Sequence, residues 1–162
     1  MKDDPLLERA DSLVPMANIC AVDLYVPMLD QFPFLRSVDV KHWEFIVTIA
    51  GIFIATTRLH NLRSGDIREQ RLMDRVAERL DQWNSNGLNG FEHCKSFFER
   101  TFDALLTAEH EPRFIASDTI RSWIVWDVLD RAPSAEEERR LVRTIGVAIT
   151  HAFFDWWKED GG

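Results

Sequence analysis

The chain has 162 residues and a mass of 18.9 kDa, the size of one ordinary domain. Apolar residues make up 46% and charged residues 28%, which is enough to bury a core and excludes a disordered chain, while 7 Gly and 6 Pro are too few for an all-β protein with frequent turns. With 19 basic and 27 acidic residues the net charge is −8, which opposes binding to nucleic acid or to an anionic membrane surface.

Helix signals dominate from the start. Asp4 followed by Pro5 predicts an N-cap and a first turn, with Pro15 closing a short helix. A second helix is expected from Pro15 to about Asp30, ended or kinked at Pro27. Gln31 to Arg36 reads as a connector, and Asp39 as the cap of a long helix reaching about Arg63. That helix is apolar nearly all round between Phe45 and Ala55, so other helices should surround it. Thr48, Gly51 and Ala55 line one strip of it, where small side chains would let a neighbouring backbone come close.

After a break at Ser64-Gly65, Asp66 caps a helix whose apolar face is Leu72, Met73, Val76, Leu80 and Trp83, a helical spacing. Asn84 to Gly90 reads as a loop, with Asn89 and Glu92 as a box-like start to the next helix. Phe91, Cys94, Phe98, Thr101, Phe102 and Leu105 form its core face. Glu111-Pro112 restarts the chain into a helix ending near Arg131, and Ala132-Pro133 breaks it. Ser134 with Glu137 is an S-x-x-E capping box for a last helix to about Glu159. No segment alternates long enough to be a strand. The expected fold is therefore all-α: a single-domain helical bundle over residues 1–162, with about five main helices, one or two short N-terminal helices and a central buried helix at about 39–63.

The cysteines, Cys20 and Cys94, form no framework and no CxxC pair. The opening Met-Lys-Asp-Asp-Pro has no basic region leading into an apolar core, so no signal peptide is expected. The longest apolar run, Phe45 to Ala55, falls well short of the roughly 20 residues of a membrane span. A cytoplasmic protein without a membrane partner is the expectation.

Chemical motifs are sparse. None of the histidines 42, 60, 93, 110 and 151 follows a glutamate by three residues, and no two are four apart. His60 and His93 are the residues one would propose as haem ligands, but each falls on a polar stretch, so no metal or cofactor is expected. No nucleophile elbow, phosphate loop or dinucleotide motif is present. Two carboxylates fall on apolar faces, Asp23 and Asp127, and a buried carboxylate must be paired, hydrogen-bonded or protonated. Arg131 is the expected partner of Asp127, and Arg58 or Arg63 that of Asp23. Arg68, Arg71, Arg75 and Arg79 form a stripe expected to pair with Glu92, Glu99 and Asp103 of the next helix instead of with nucleic acid.

Aromatic content is uneven, with 6 Trp and 11 Phe but a single Tyr. The last helix has a core face of Leu141, Ile145, Ile149, Ala152 and Trp156, and a second strip of Val147, Phe154 and Trp157. That strip reads either as an interface, because a large exposed apolar patch is uncommon on a monomer and symmetric dimers commonly cover one, or as a surface over which the N-terminal helices of the same chain wrap. The leading expectation is a non-catalytic helical interaction or regulatory protein that self-associates and binds another protein partner. A ligand-binding or sensory domain would instead use Asp23, Asp127, Trp123 and Trp126 around an aromatic pocket. An enzyme with dispersed helical active-site residues is the third class.

Overall fold

The computed structural model describes residues 4–63, 66–106, 123–131 and 134–158. Its regular structure is all helical: α1 (Pro5–Gln31), a 3-10 turn (Pro33–Ser37), α2 (Val40–Arg63), α3 (Ile67–Trp83), α4 (Gly87–Leu106), helical residues 123–129 (α5) and α6 (Glu136–Phe153). The all-α bundle read from periodicity and capping is the fold observed. The rest of the expected 111–131 helix lies outside the described residues.

Three helix starts form where short polar side chains take up free backbone donors. Asp4 accepts from the Leu6 N–H at 3.1 Å, Asp39 from Lys41 at 2.8 Å and His42 at 3.1 Å, and Asp66 from Arg68 at 2.9 Å. Two later starts depart from the expected register. α4 begins at Gly87, earlier than the Asn89 box, because the Asn84 side chain and carbonyl bond the N–H groups of Asn86 and Gly87 and turn the chain at once. α6 begins one residue past the expected box: Glu138, not Glu137, reaches back to the backbone N–H of Ala135 at 3.3 Å. Arg131 bonds the same Glu138 oxygen at 2.7 Å and holds the carboxyl below the usual carboxylate range.

One α1 helix replaces the two expected. Pro15 and Pro27 lie inside it, each removing one helical hydrogen bond, and both sit on the exposed side, where water can satisfy the freed carbonyls. Leu6, Ala10, Leu13, Val14, Ala17, Ala21 and Met28 turn inward and hold the helix across both prolines.

α2 is the central helix, and residues 46–56 are buried without interruption. α1, α3, α4 and α6 all pack on it. Trp43 is fully buried at its start, its indole N–H donating to the Ala21 carbonyl of α1 at 3.3 Å. Gly90 of α4 makes room for the Phe45 ring, whose nearest atom would lie 2.6 Å from an added Cβ. The Thr48–Gly51–Ala55 strip receives side chains at Gly51 and Ala55. A Cβ on Gly51 would sit 2.8 Å from the Phe153 ring, and the Ala55 carbonyl accepts the Trp157 indole N–H at 2.7 Å.

Three arginines of the α3 stripe clamp α1, where the α4 acids Glu92, Glu99 and Asp103 were expected as partners; the Asp103 side chain lies outside the described residues. Arg68 bonds Asp4, while Arg75 and Arg79 both reach Asp11, at 2.6 and 2.9 Å. These guanidinium groups hold the Asp4 and Asp11 carboxyls below their ordinary range.

Candidate functional site

Residues proposed as a ligand-binding set are not gathered into one place. Asp23 is exposed on the outer side of α1, so it needs no distant arginine. Arg58 instead covers the Phe154 ring at 4.2 Å, and the Arg63 side chain lies outside the described residues. Trp126 is also largely exposed and meets Phe97 edge-on. Asp127 and Trp123 do come together, but with a residue that periodicity had set aside.

That residue is His93 of α4. Its Nδ1 lies 3.3 Å from the Trp123 indole nitrogen and 3.4 Å from Asp127 Oδ2. His42, at the start of α2, places Nε2 3.0 Å from the Asp127 backbone carbonyl. A carbonyl only accepts, so His42 Nε2 carries the proton in this contact. Arg131, the expected partner of Asp127, bonds Glu138 instead, because the chain turns at Asp130, which has φ of 56°. Asp127 Oδ2 is buried with no hydrogen-bond partner. Burial pushes the Asp127 carboxyl above its usual range, and the nearby His93 and His42 partly oppose the shift. Cys94, adjacent in sequence to His93, is buried, and burial raises its thiol well above the ordinary value, so it is protonated and unreactive.

Among the described residues no group of His, Cys, Asp and Glu has the arrangement of a metal site. Two grooves, of about 360 and 430 Å³, run along the seam between α1 and α3 and do not involve Asp127, Trp123 or Trp126. The smaller is lined largely by charged side chains such as Arg71, Asp74 and Glu78. The larger is lined by Val14, Pro15 and Ile19 of α1 and by Arg79, Gln82 and Trp83 of α3.

The strip assigned to an interface on the last helix is divided by the structure. α6 ends at Phe153, before the expected Glu159, and residues 154–157 form tight turns with bonds from Trp156 N–H to the Phe153 carbonyl and from Lys158 N–H to the Asp155 carbonyl. Helical spacing therefore no longer predicts direction beyond Phe153. Trp157 swings inward and is only 4% exposed. Trp156 exchanges bonds with α1: its indole donates to the Arg9 carbonyl at 3.0 Å, and Arg9 donates to its carbonyl at 2.7 Å. Of Val147, Phe154 and Trp157, Val147 alone is largely exposed.

A larger apolar surface lies on α1. Met16, Ile19, Val22 and Val26 recur at three, three and four residues and are 45%, 51%, 45% and 61% exposed. The stripe lies opposite the buried face of α1, runs between Pro15 and Pro27, and adjoins the larger groove at Ile19. By length and composition α1 could cross a membrane, as could Val40–His60, but the latter is mostly buried as the core helix. No Lys or Arg occurs from Ala10 to Leu35, whereas Asp11, Asp23 and Asp30 do.

Comparison of the chain with protein-family models, with curated proteins and with solved structures finds no match.

Proposed function

We propose that the chain is a non-catalytic helical interaction protein, and that the outward face of α1 associates with the same face of a second copy. The exposed Met16–Ile19–Val22–Val26 stripe carries this reading. Monomers rarely leave a contiguous apolar patch of more than a few hundred Å² in water. A two-fold interface needs a patch complementary to itself. Met16 and Val26 lie five residues either side of Ala21, with Ile19 and Val22 between them. Antiparallel pairing about Ala21 sets Met16 of each copy against Val26 of the other. It also carries the Val26–Pro27 end toward the groove beside Pro15 and Ile19. The absence of basic residues from Ala10 to Leu35 disfavours an anionic membrane as the occupant, since interfacial helices use Lys and Arg to hold lipid headgroups.

Sedimentation velocity at tens of micromolar tests the reading. Wild type should sediment as a dimer, and Val22→Glu with Val26→Glu as a monomer with unchanged far-ultraviolet circular dichroism, because both side chains are already exposed. A wild-type monomer at this concentration ends the self-association reading. If that monomer co-floats with zwitterionic vesicles, the occupant is lipid.

A further inference from the structure

We propose that His93 Nδ1 is a proton-operated exchange point between α4 and α5: neutral, it accepts the Trp123 indole N–H; protonated, it donates to Asp127 Oδ2 and gives up Trp123. The argument is geometric. Trp123 Nε1 and Asp127 Oδ2 lie 3.3 and 3.4 Å from the same ring nitrogen. An indole nitrogen can only donate and an ionised carboxylate can only accept. Nδ1 therefore cannot satisfy both at once. With the lone pair on Nδ1, the indole of Trp123 is bonded and the buried Asp127 Oδ2, 3.4 Å from the same nitrogen, receives no proton from it. With a proton there, the orphaned oxygen gains a charge-assisted bond and the buried indole loses its acceptor.

Protons can reach the ring, because the His93 side chain is 57% exposed although both of its partners are more buried. Among the described residues, the other groups bearing on the pair are few. His42 holds the Asp127 backbone carbonyl, Asp130 adds negative charge near Asp127, and Cys94 is a neutral buried thiol. Glu92 and Lys95 are exposed on α4 to either side of His93. Acidification thus trades a neutral hydrogen bond for an ion pair at the α4–α5 contact. The contact therefore depends on the charge of the His93 ring.

Nuclear magnetic resonance of the full chain labelled with nitrogen-15 reads both ends of the exchange. The Trp123 indole signal, assigned with Trp123→Phe, and the His93 ring nitrogens are followed from pH 5 to 8. In wild type the two should titrate with one midpoint. His93→Gln should abolish the Trp123 titration, Asp127→Asn should move its midpoint to lower pH, and His42→Gln should leave it in place. A Trp123 signal that stays constant while the His93 ring titrates overturns the proposal. So does a midpoint that follows His42 or ignores Asp127→Asn. The wild-type comparison alone is sufficient should a variant fold poorly.

Discussion

Gly51→Ala probes how the C-terminal end of α6 seats on the central helix, and two opposing effects set its size. Alanine is the better helix former, favouring the variant by about 1 kcal/mol at an interior position. Against this, the new Cβ would lie 2.8 and 3.0 Å from two atoms of the Phe153 ring, closer than carbon atoms pack. Phe153 is 3% exposed and packs against Trp156, so the ring has little room to withdraw. Overpacking of this kind costs about 1–3 kcal/mol. Steric cost therefore prevails, and Gly51→Ala should lower unfolding stability by about 1 kcal/mol, or about 2–4 °C in Tm for a domain of this size. Urea denaturation of a double-mutant cycle separates the two contributions. In the Phe153→Leu background the clash is relieved, and Gly51→Ala should become neutral or stabilising, with a coupling of about 1–2 kcal/mol. Equal cost in both backgrounds, or stabilisation by Gly51→Ala alone, would refute the packing argument.

Trp157→Ala should cost about 3–5 kcal/mol, since it empties a core position and frees the Ala55 carbonyl, whereas Val147→Asp on the exposed side of α6 should stay within about 0.5 kcal/mol; equilibrium denaturation of both variants makes the comparison. Asp11→Asn should destabilise by about 1 kcal/mol or less at neutral pH, because Asp11 and its arginine partners are each about one-third exposed and solvent screens the pairs. The sign of its pH dependence follows from a folded-state value below the unfolded one. The wild-type advantage should be complete above about pH 4 and vanish as pH falls through the lowered value, which denaturation midpoints across that range will show.

Much of the fold was legible because helix starts and apolar periodicity are local properties. Asp4, Asp39 and Asp66 cap where the sequence places them, and the run from Ile46 to Ala55 is buried on all sides. Proline misled at Pro15 and Pro27, where inward packing of the flanking residues of α1 outweighs two lost hydrogen bonds. The arginine stripe does pair with acids of its own chain, but the partners Asp4 and Asp11 are more than sixty positions away in sequence, a pairing that depends on tertiary arrangement. The strip on the last helix failed for a simpler reason: helical spacing was carried past Phe153, where the helix stops and Trp157 turns inward. The outward stripe of α1, Met16 to Val26, lies wholly within the expected second helix, and spacing alone does not say which of two apolar faces turns inward. His93 was missed because a histidine on a polar helix face carries no periodic signal; only the fold brings Trp123 and Asp127 to it.

Pairing of two copies through the outward face of α1 can be read as a distance. A nitroxide label at Asp23→Cys, at the edge of the stripe, is attached in a Cys20→Ser background, where the buried Cys94 escapes labelling. Packed helices lie about 8–10 Å apart, so antiparallel pairing about Ala21 should bring the two labels within roughly 25 Å, arms included. Pulsed electron resonance at tens of micromolar should show that short inter-copy distance, and Val26→Glu should abolish it. Absence of any inter-copy coupling, or a coupling that survives Val26→Glu, would contradict association through this face.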